Sequence, residues 1–487
     1  MKGQGMPEQA IAGRVLSVAS ECVPLVKTGG LADVVGALPK ALAAQGWQMR
    51  VLMPAYRGLA DRLEGAEEVW TGGDLFGGPA MVLAGRVEGL NMLLLSAPHL
   101  YDRAGGPYSV NGRDHADNPE RFAALCWVAA EIARDGLGDG WRPDIVHAHD
   151  WQGGLAPAYL RYGGTPVKSV ITVHNIAFQG MAPAWKLAGL RLPASEFHAD
   201  ALEYYGQIST LKAGLVTADA ITTVSPTYAE ELMRPAFGMG LEGVIAARAS
   251  RVHGILNGVD TEVWDPAGDL EAQPYDRRRL ARKAQNRARL IAEFGLAEVP
   301  GPLAIVVSRL TDQKGIDLIP AVLPDFVAEG GGLAILGSGD AALEQAMHAA
   351  AARFPGRVAV KIGYDEALSH RMFAGADAVL VPSRFEPCGL TQMYGLRYGT
   401  LPVVAETGGL ADTVINANPM ALAAGAATGI SFHPTDALAF GQALRRLTQL
   451  YAQPAVWAAM QRAAMRQPVG WEVSSAAYAA LYAGLLG

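Results

Sequence analysis

Short apolar, β-branched runs recur along the chain and end in Gly, Ser, His or Asn. VLSVAS (15–20), RVLMP (50–54), MLLLSAP (92–98), DIVHAHD (144–150), SVITVHN (169–175) and AITTVSP (220–226) form a first set. LAIVVSR (303–309), LAILGSG (333–339), RVAVKIGY (357–364), AVLVPS (378–383) and LPVVAE (401–406) form a second. Between them lie Ala- and Leu-rich stretches with helical spacing, such as LADVVGALPKALAAQG (31–46) and ALEQAMHAAAARF (342–354). Continuous apolar strands alternating with helices predict parallel sheets covered on both faces. The strands are too many for one ordinary sheet, and single cores seldom grow past about 250–300 residues. The expectation is therefore an α/β protein of two Rossmann-like, doubly wound domains facing a cleft. The boundary falls near residue 253, where VHGILNGVDTEVWDP (252–266) runs from a strand into a turn-rich loop. Residues 1–13 read as a loose leader, 14–253 as the first domain and 254–466 as the second.

Composition narrows the function. The chain has 487 residues, half of them hydrophobic and 18% charged, so it can bury a large core and is not intrinsically disordered. A net charge of -7 argues against a general nucleic-acid or anionic-membrane binder. Cys22, Cys126 and Cys388 are odd in number, far apart and in no CxxC pair. A disulfide framework or structural zinc site is not expected, and a reducing cytoplasm fits. MKGQGMPEQAIAG has no apolar core of a secretory signal, and no run of about 18 apolar residues is present to span a membrane.

One repeat stands out. Thr28-Gly29-Gly30-Leu31-Ala32-Asp33 recurs letter for letter at Thr407-Gly408-Gly409-Leu410-Ala411-Asp412, each copy opening an amphipathic helix. Paired glycines let a backbone approach a ligand, and the helix start offers free N–H groups and positive dipole. Lys27 adds a full charge, which suits a phosphate or sugar hydroxyls. As a single copy this is ordinary turn punctuation; two copies favour function, one Gly-rich turn in each of two related halves. Arg309 and Lys314, in SRLTDQKG directly after a strand, suit a diphosphate, Arg as a fork and Lys as a point charge. In PSRFEPCGLTQ (382–392), Glu386 can bind sugar hydroxyls or offset positive charge at an anomeric carbon; its bland alternative is a helix cap. Cys388 reads as a small buried hydrophobe rather than a nucleophile.

HAHDW (147–151) invites a metal reading, but no matching ligand set accompanies it, so no metal site is expected. His174 and Asn175, at a strand terminus, are better placed to orient a sugar. Gly337-Ser338-Gly339-Asp340 is weak evidence for a nucleotide, and Tyr364 either stacks on a base or packs in its loop. The basic helix at 277–289 reads as a solvated face, without the interleaved aromatics of a single-strand RNA site.

These residues resemble a known family. KTGGLADVVGALP, HAHDWQGGLAPAY, TVHNIAFQG, STLKAG, SRLTDQKG, PSRFEPCGLTQ and TGGLADTV are similar to those of bacterial glycogen synthases and plant starch synthases, from about Val15 to the C-terminus. The resemblance implies the two-Rossmann GT-B glycosyltransferase architecture, with residues 467–487 crossing back to the first domain. It implies retaining transfer of glucose from ADP-glucose to the nonreducing 4-hydroxyl of an α-1,4-glucan, without cofactor or metal. Oligomeric state is left open. Lys27 corresponds to the lysine of the ADP-glucose site, and Gly29 and Gly30 to its backbone. Arg309 and Lys314 correspond to the pair on the leaving diphosphate, Glu386 to the carboxylate needed for activity, and His174 to the histidine beside the transferred glucose. Asp33, Asp150, Asn175 and Asn257 match positions that bind sugar or shape the cleft. Tyr364 matches a residue near adenine. Cys388, Gly389, Leu390 and Thr391 lie on the phosphate side, and Tyr108 near acceptor or donor. Many retaining members of the wider architecture place a second glutamate eight residues after the first; here that position is Tyr394. A front-face route fits this departure, and a covalent glycosyl intermediate remains the alternative.

Overall fold

The computed structural model describes residues 11–297 and 299–487. Of the leader expected over 1–13, residues 1–10 lie outside this range, and Gly13 already opens the first strand. By internal contacts the chain forms two compact units. One holds the described residues up to Val224, then Ala229–Ile255 and Trp471–Gly487; the other holds Ser225–Tyr228 and Leu256–Gly470. The division thus falls at 255/256 and 470/471, against the 253/254 and 466/467 expected, and Ser225–Tyr228, at the end of the last apolar run of the first set, group with the second unit.

Among the described residues, the first unit carries a nine-stranded sheet. Its strands are β1 (Gly13–Val18), β2 (Trp47–Pro54), β3 (Glu64–Gly72), β4 (Ala80–Val87), β5 (Leu90–Ser96), β6 (Ile145–His149), β7 (Lys168–Val173), β8 (Ala220–Thr223) and β9 (Val252–Gly254). Their order is β9-β8-β7-β6-β1-β2-β5-β4-β3. Pairing is parallel from β9 to β5, and β4 and β3 close the edge as an antiparallel ribbon. Among the described residues the second unit has six strands: β10 (Leu303–Val307), β11 (Gly332–Gly337), β12 (Val358–Ile362), β13 (Ala378–Val381), β14 (Leu401–Ala405) and β15 (Ile430–Phe432). Their order, β12-β11-β10-β13-β14-β15, is the doubly wound 3-2-1-4-5-6 arrangement, parallel throughout.

Most strands that the apolar runs predict are buried on both faces, and every residue of β6, β11, β13 and β14 is buried; β12, at the sheet edge, is only partly covered. The last helix, Trp471–Leu486, packs Trp471, Tyr478 and Tyr482 into the first unit's core against Val15, Leu38, Trp47, Ile145 and Val170. Tyr482 meets Trp47 edge-on at 5.2 Å between ring centroids. In each sheet the strand order reverses beside the first strand, between β1 and β6 in one unit and between β10 and β13 in the other. Loops leaving the carboxyl ends of such strands diverge and open a crevice.

The basic helix departs from expectation at two of its cations. Lys283, inside it, is buried, and its ammonium donates to the Phe373 and Ala374 carbonyls, both at 2.9 Å, and to Thr400 Oγ1 at 2.8 Å. Burial pushes its pKa down to about 7. Arg287 of the same helix pairs with Asp377 at 2.9 Å. Lys283 and Arg287 thus anchor the segment onto the second unit's core, where carbonyls at the end of the neighbouring 366–375 helix lack helical donors, while Arg277, Arg278, Arg279, Arg282 and Arg289 form the exposed, solvated face expected.

Candidate functional site

In the second unit, the loops after β10 and β13 meet at the reversal point. Lys314 Nζ lies 2.5 Å from Glu386 Oε2, and Ser383 Oγ donates to the same oxygen at 3.1 Å. Glu386 is only 8% exposed, so its carboxylate is held by these two donors rather than by bulk water. The loops are also joined through backbone: Arg384 N–H donates to Gln313 O at 2.9 Å, and Gln313 Nε2 to Phe385 O at 3.1 Å. Arg384 is engaged bidentately by Asp317, at 2.6 and 2.7 Å. Arg309 is exposed, and its guanidinium has no partner among the described residues. The result is a largely buried ion pair joining the two loops, with an exposed guanidinium on the first of them.

Cys388 is buried and its thiol is pushed up to about 12, so at neutral pH it is an inert hydrophobe that receives the Asn257 backbone N–H. The Asn257 Oδ1 is buried without a partner among the described residues. Gly389, Leu390 and Thr391 lead into the Thr391–Tyr398 helix, so the loop ends on free helix N–H groups. Tyr364 sits on the loop after β12, two strands from the reversal point, 77% exposed, with its hydroxyl on Glu366 at 2.8 Å. Gln392 was not singled out from the sequence. It is fully buried, and its amide donates to Cys388 O at 2.9 Å and Gly389 O at 2.8 Å, fixing the loop.

In the first unit, Lys27 and Gly29 lie between β1 and the Gly30–Ala43 helix, and Gly30 and Asp33 in its first turn, with Lys27 Nζ 2.8 Å from Asp33. Glu21, unremarked in the sequence, organises this loop. Its buried carboxylate accepts from Thr28 N–H, from Thr28 Oγ1 at 2.6 Å and from the Tyr108 hydroxyl. A lone acid at the end of the run SVASECVP was the available signal. Tyr108 is held in turn by Asn118 Nδ2 on its carbonyl at 2.9 Å, and the buried Arg121 donates to Pro107 O at 2.8 Å.

Across the reversal point, Asp150 follows β6 in a left-handed backbone conformation (φ 50°). Its Oδ1 accepts from the His174 N–H at 2.7 Å and the Asn175 N–H at 3.4 Å. Burial raises its pKa to about 7, against these hydrogen bonds. His174 is held down to about 3 by burial, so its imidazole is neutral. Lys27, Glu21, Tyr108, Asp150, His174 and Asn175 thus gather at one end of one sheet.

The repeat requires a correction. A methyl group on Gly29 or Gly30 would meet no atom within 4 Å, so that backbone is open to a ligand. On Gly408 (φ 45°) a methyl would lie 2.0 Å from the Glu386 carbonyl oxygen, and on Gly409 it would lie 2.1 Å from that of Cys388. The second copy is therefore closed against the Glu386 loop, and its Asp412 accepts from Thr227 N–H and Oγ1 instead of a lysine. Identical letters serve ligand access in one unit and backbone packing in the other.

The histidines of HAHDW are tied into the fold, and His147 is structural. His147 and His149, two apart on β6, share one face with rings 4.3 Å apart. His147 bonds Tyr482 Oη at 2.7 Å and Thr172 Oγ1 at 2.5 Å. Burial holds it neutral, with a pKa of about 3. Between the ordinary value of 6.5 and about 3, the unfolded chain takes up a proton that the folded state excludes. Stability is complete above that window and falls on acidification by about 1.4 kcal/mol per pH unit for this group. Asp150 acts oppositely between 3.8 and about 7, so the comparison with a variant isolates the effect. Urea unfolding of His147→Gln is expected to show a slope between about pH 6 and about pH 4 shallower by roughly that amount. Equal slopes would remove His147 from the acid response.

A doubly wound pair with a cation–carboxylate cluster at one reversal point is the organisation of a GT-B glycosyltransferase, and comparison with known proteins agrees. Residues 14–247 match the starch synthase catalytic domain and residues 291–463 the glycosyl transferases group 1. The chain is 70% identical to a glycogen synthase of Cereibacter sphaeroides over 97% of this chain and 99% of that one. It is 58% identical to a glycogen synthase of Paracoccus denitrificans, over 96% and 98%. Among solved structures it is similar to the catalytic domain of starch synthase IV from Arabidopsis thaliana bound to ADP and acarbose, at a TM-score of 0.86 and 30% identity, covering 97% of this chain and 99% of that one. A sucrose-phosphate synthase from Thermosynechococcus elongatus, at 0.60 and 19%, shares the fold. The chain belongs to the glycogen synthase family. No helix among the described residues is long and apolar enough to cross a membrane.

Proposed function

We propose that this protein transfers glucose from ADP-glucose to the nonreducing 4-hydroxyl of an α-1,4-glucan, with retention, and releases ADP in the cytoplasm. The observation that carries this reading is the Lys314–Glu386 pair beside the unpartnered Arg309. A departing nucleoside diphosphate gains negative charge as the glycosidic bond breaks, and preorganised donors that cost no reorganisation stabilise that charge best. Arg309 supplies a fork and Lys314 a point charge already oriented by Glu386. The Gly389–Thr391 helix start adds backbone N–H groups, so the diphosphate is held by protein cations and dipoles without a divalent metal or a cofactor. Tyr364 offers an exposed ring to the base. In the first unit, Lys27 and the open Gly29–Gly30 backbone reach phosphate or sugar, while His174, Asn175 and Asp150 orient the glucose. The names of the relatives and the ADP and acarbose bound to the starch synthase support the donor and acceptor.

The test is incorporation of labelled glucose into glycogen from ADP-glucose and from UDP-glucose, each with and without chelator. ADP-glucose is expected to be the better donor and chelator to be without effect. Glu386→Gln is expected to keep donor binding and lose about 100–1,000-fold in transfer. Unchanged turnover would take Glu386 off the list, and loss of activity on chelation would overturn the metal-free reading.

A further inference from the structure

Three buried groups lead from the sheet interior to His174. Ser17 on β1 lies level with His147 of β6, and His149 is level with Thr172 of β7. That register sets Ser17 Oγ 3.1 Å from His149 Nε2, and His149 Nδ1 3.0 Å from His174 Nε2. Ser17 and His149 are fully buried. Beneath His149 lies the His147 ring, itself pinned by Thr172 and by Tyr482 of the last helix. We infer that His149 is a positioning residue for His174, fixing both the orientation of its ring and which nitrogen carries the proton. The inference rests on the reading of His174 as the residue beside the transferred glucose.

The argument is a proton count. Burial keeps all three imidazoles neutral, so each carries one N–H. If the His149 proton is on Nδ1, it is donated to His174 Nε2, and the His174 proton must sit on Nδ1. If it is on Nε2, it is donated to Ser17; His174 then donates from its own Nε2, and its Nδ1 presents a lone pair. The two tautomers are locked together. His174 Nδ1 has no protein partner among the described residues, so it is the ring position left for a sugar hydroxyl, and the relay decides whether it gives or receives that hydrogen bond. The His174 backbone is fixed separately, by Asp150 on its N–H. With backbone and ring both tied, the imidazole meets the substrate already oriented, and small misplacements of such a group are costly to turnover.

The relay predicts a discriminating series, made in the full chain and assayed with ADP-glucose and glycogen. An Asn at 149 places its amide where Nδ1 stands and keeps the contact to His174; a Gln reaches toward Nε2 and Ser17; a Phe keeps neither. His149→Phe and His149→Gln are expected to lower kcat about 10–100-fold, with KM for ADP-glucose within about threefold of wild type. His149→Asn is expected to recover most of kcat, with a melting temperature close to that of His149→Gln. Ser17→Ala removes one hydroxyl and little volume, keeps the test open if His149→Phe does not fold, and is expected to lower kcat several-fold. His174→Ala is the reference, with activity lost. Wild-type kcat in Ser17→Ala or His149→Gln, while His174→Ala is inactive, overturns the relay. So does His149→Asn as poor as His149→Gln, which leaves His149 a packing residue only. Full activity in His174→Ala instead overturns the reading of His174 itself.

Discussion

Arg309→Ala is expected to lower kcat/KM for glucosyl transfer by about 100–1,000-fold while leaving thermal stability within about 0.5 kcal/mol of wild type. The guanidinium is exposed and has no protein partner among the described residues, so the folded state loses nothing when it is removed. Lys314→Ala is expected to cost a similar factor in turnover with a different signature. Lys314 and Glu386 have side chains only 17% and 10% exposed, so removing the ammonium strands a carboxylate in a site of low solvation. That variant should also melt earlier. Arg309→Lys keeps charge but loses the planar fork, and should recover only part of the loss. Steady-state kinetics with melting curves separate these outcomes. Arg309→Ala with wild-type kcat/KM would sink the electrostatic account.

The second large effect concerns the repeat. Gly408→Ala is expected to destabilise the protein by about 3 kcal/mol or more, because the new methyl meets the Glu386 carbonyl oxygen and the backbone is left-handed there. Its relief requires the Glu386 loop to move, so activity falls with stability. Gly29→Ala, at the same place in the other copy, meets no atom and should melt near wild type. Its cost should appear instead in KM for ADP-glucose, where a methyl stands in the way of the ligand. Differential scanning calorimetry and donor titrations on the two variants make the comparison. Similar melting temperatures for both would show that the second copy tolerates what its packing forbids.

Much of the chemistry was legible along the chain because it sits where strands end. His174 and Asp150 follow a buried strand directly, Arg309 and Glu386 lie on the loops leaving one, and a doubly wound sheet brings such positions to its carboxyl end. Glu21 and Gln392 were not legible, since nothing local separates a loop-fixing acid or amide from an ordinary one. The importance of Glu21 comes from partners such as Tyr108, 87 residues away. Lys283 likewise looked like one basic residue among many, and only the carbonyls of Phe373 and Ala374 make it a buried anchor.

What the amino-acid order determined by itself is the run of buried strands and helices, the presence of two large parallel sheets and the side chains at strand ends. These follow from periodicity and burial, which act over a few residues. Strand order and register were decided only in three dimensions, and with them everything that depends on neighbours far apart in sequence. Ser17 and His149 meet across 132 residues because β1 and β6 pair. Two copies of TGGLAD diverge in role because one helix start faces open space and the other a carbonyl. A hydrogen bond or a steric contact is a property of two surfaces, and the chain writes down only one of them at a time.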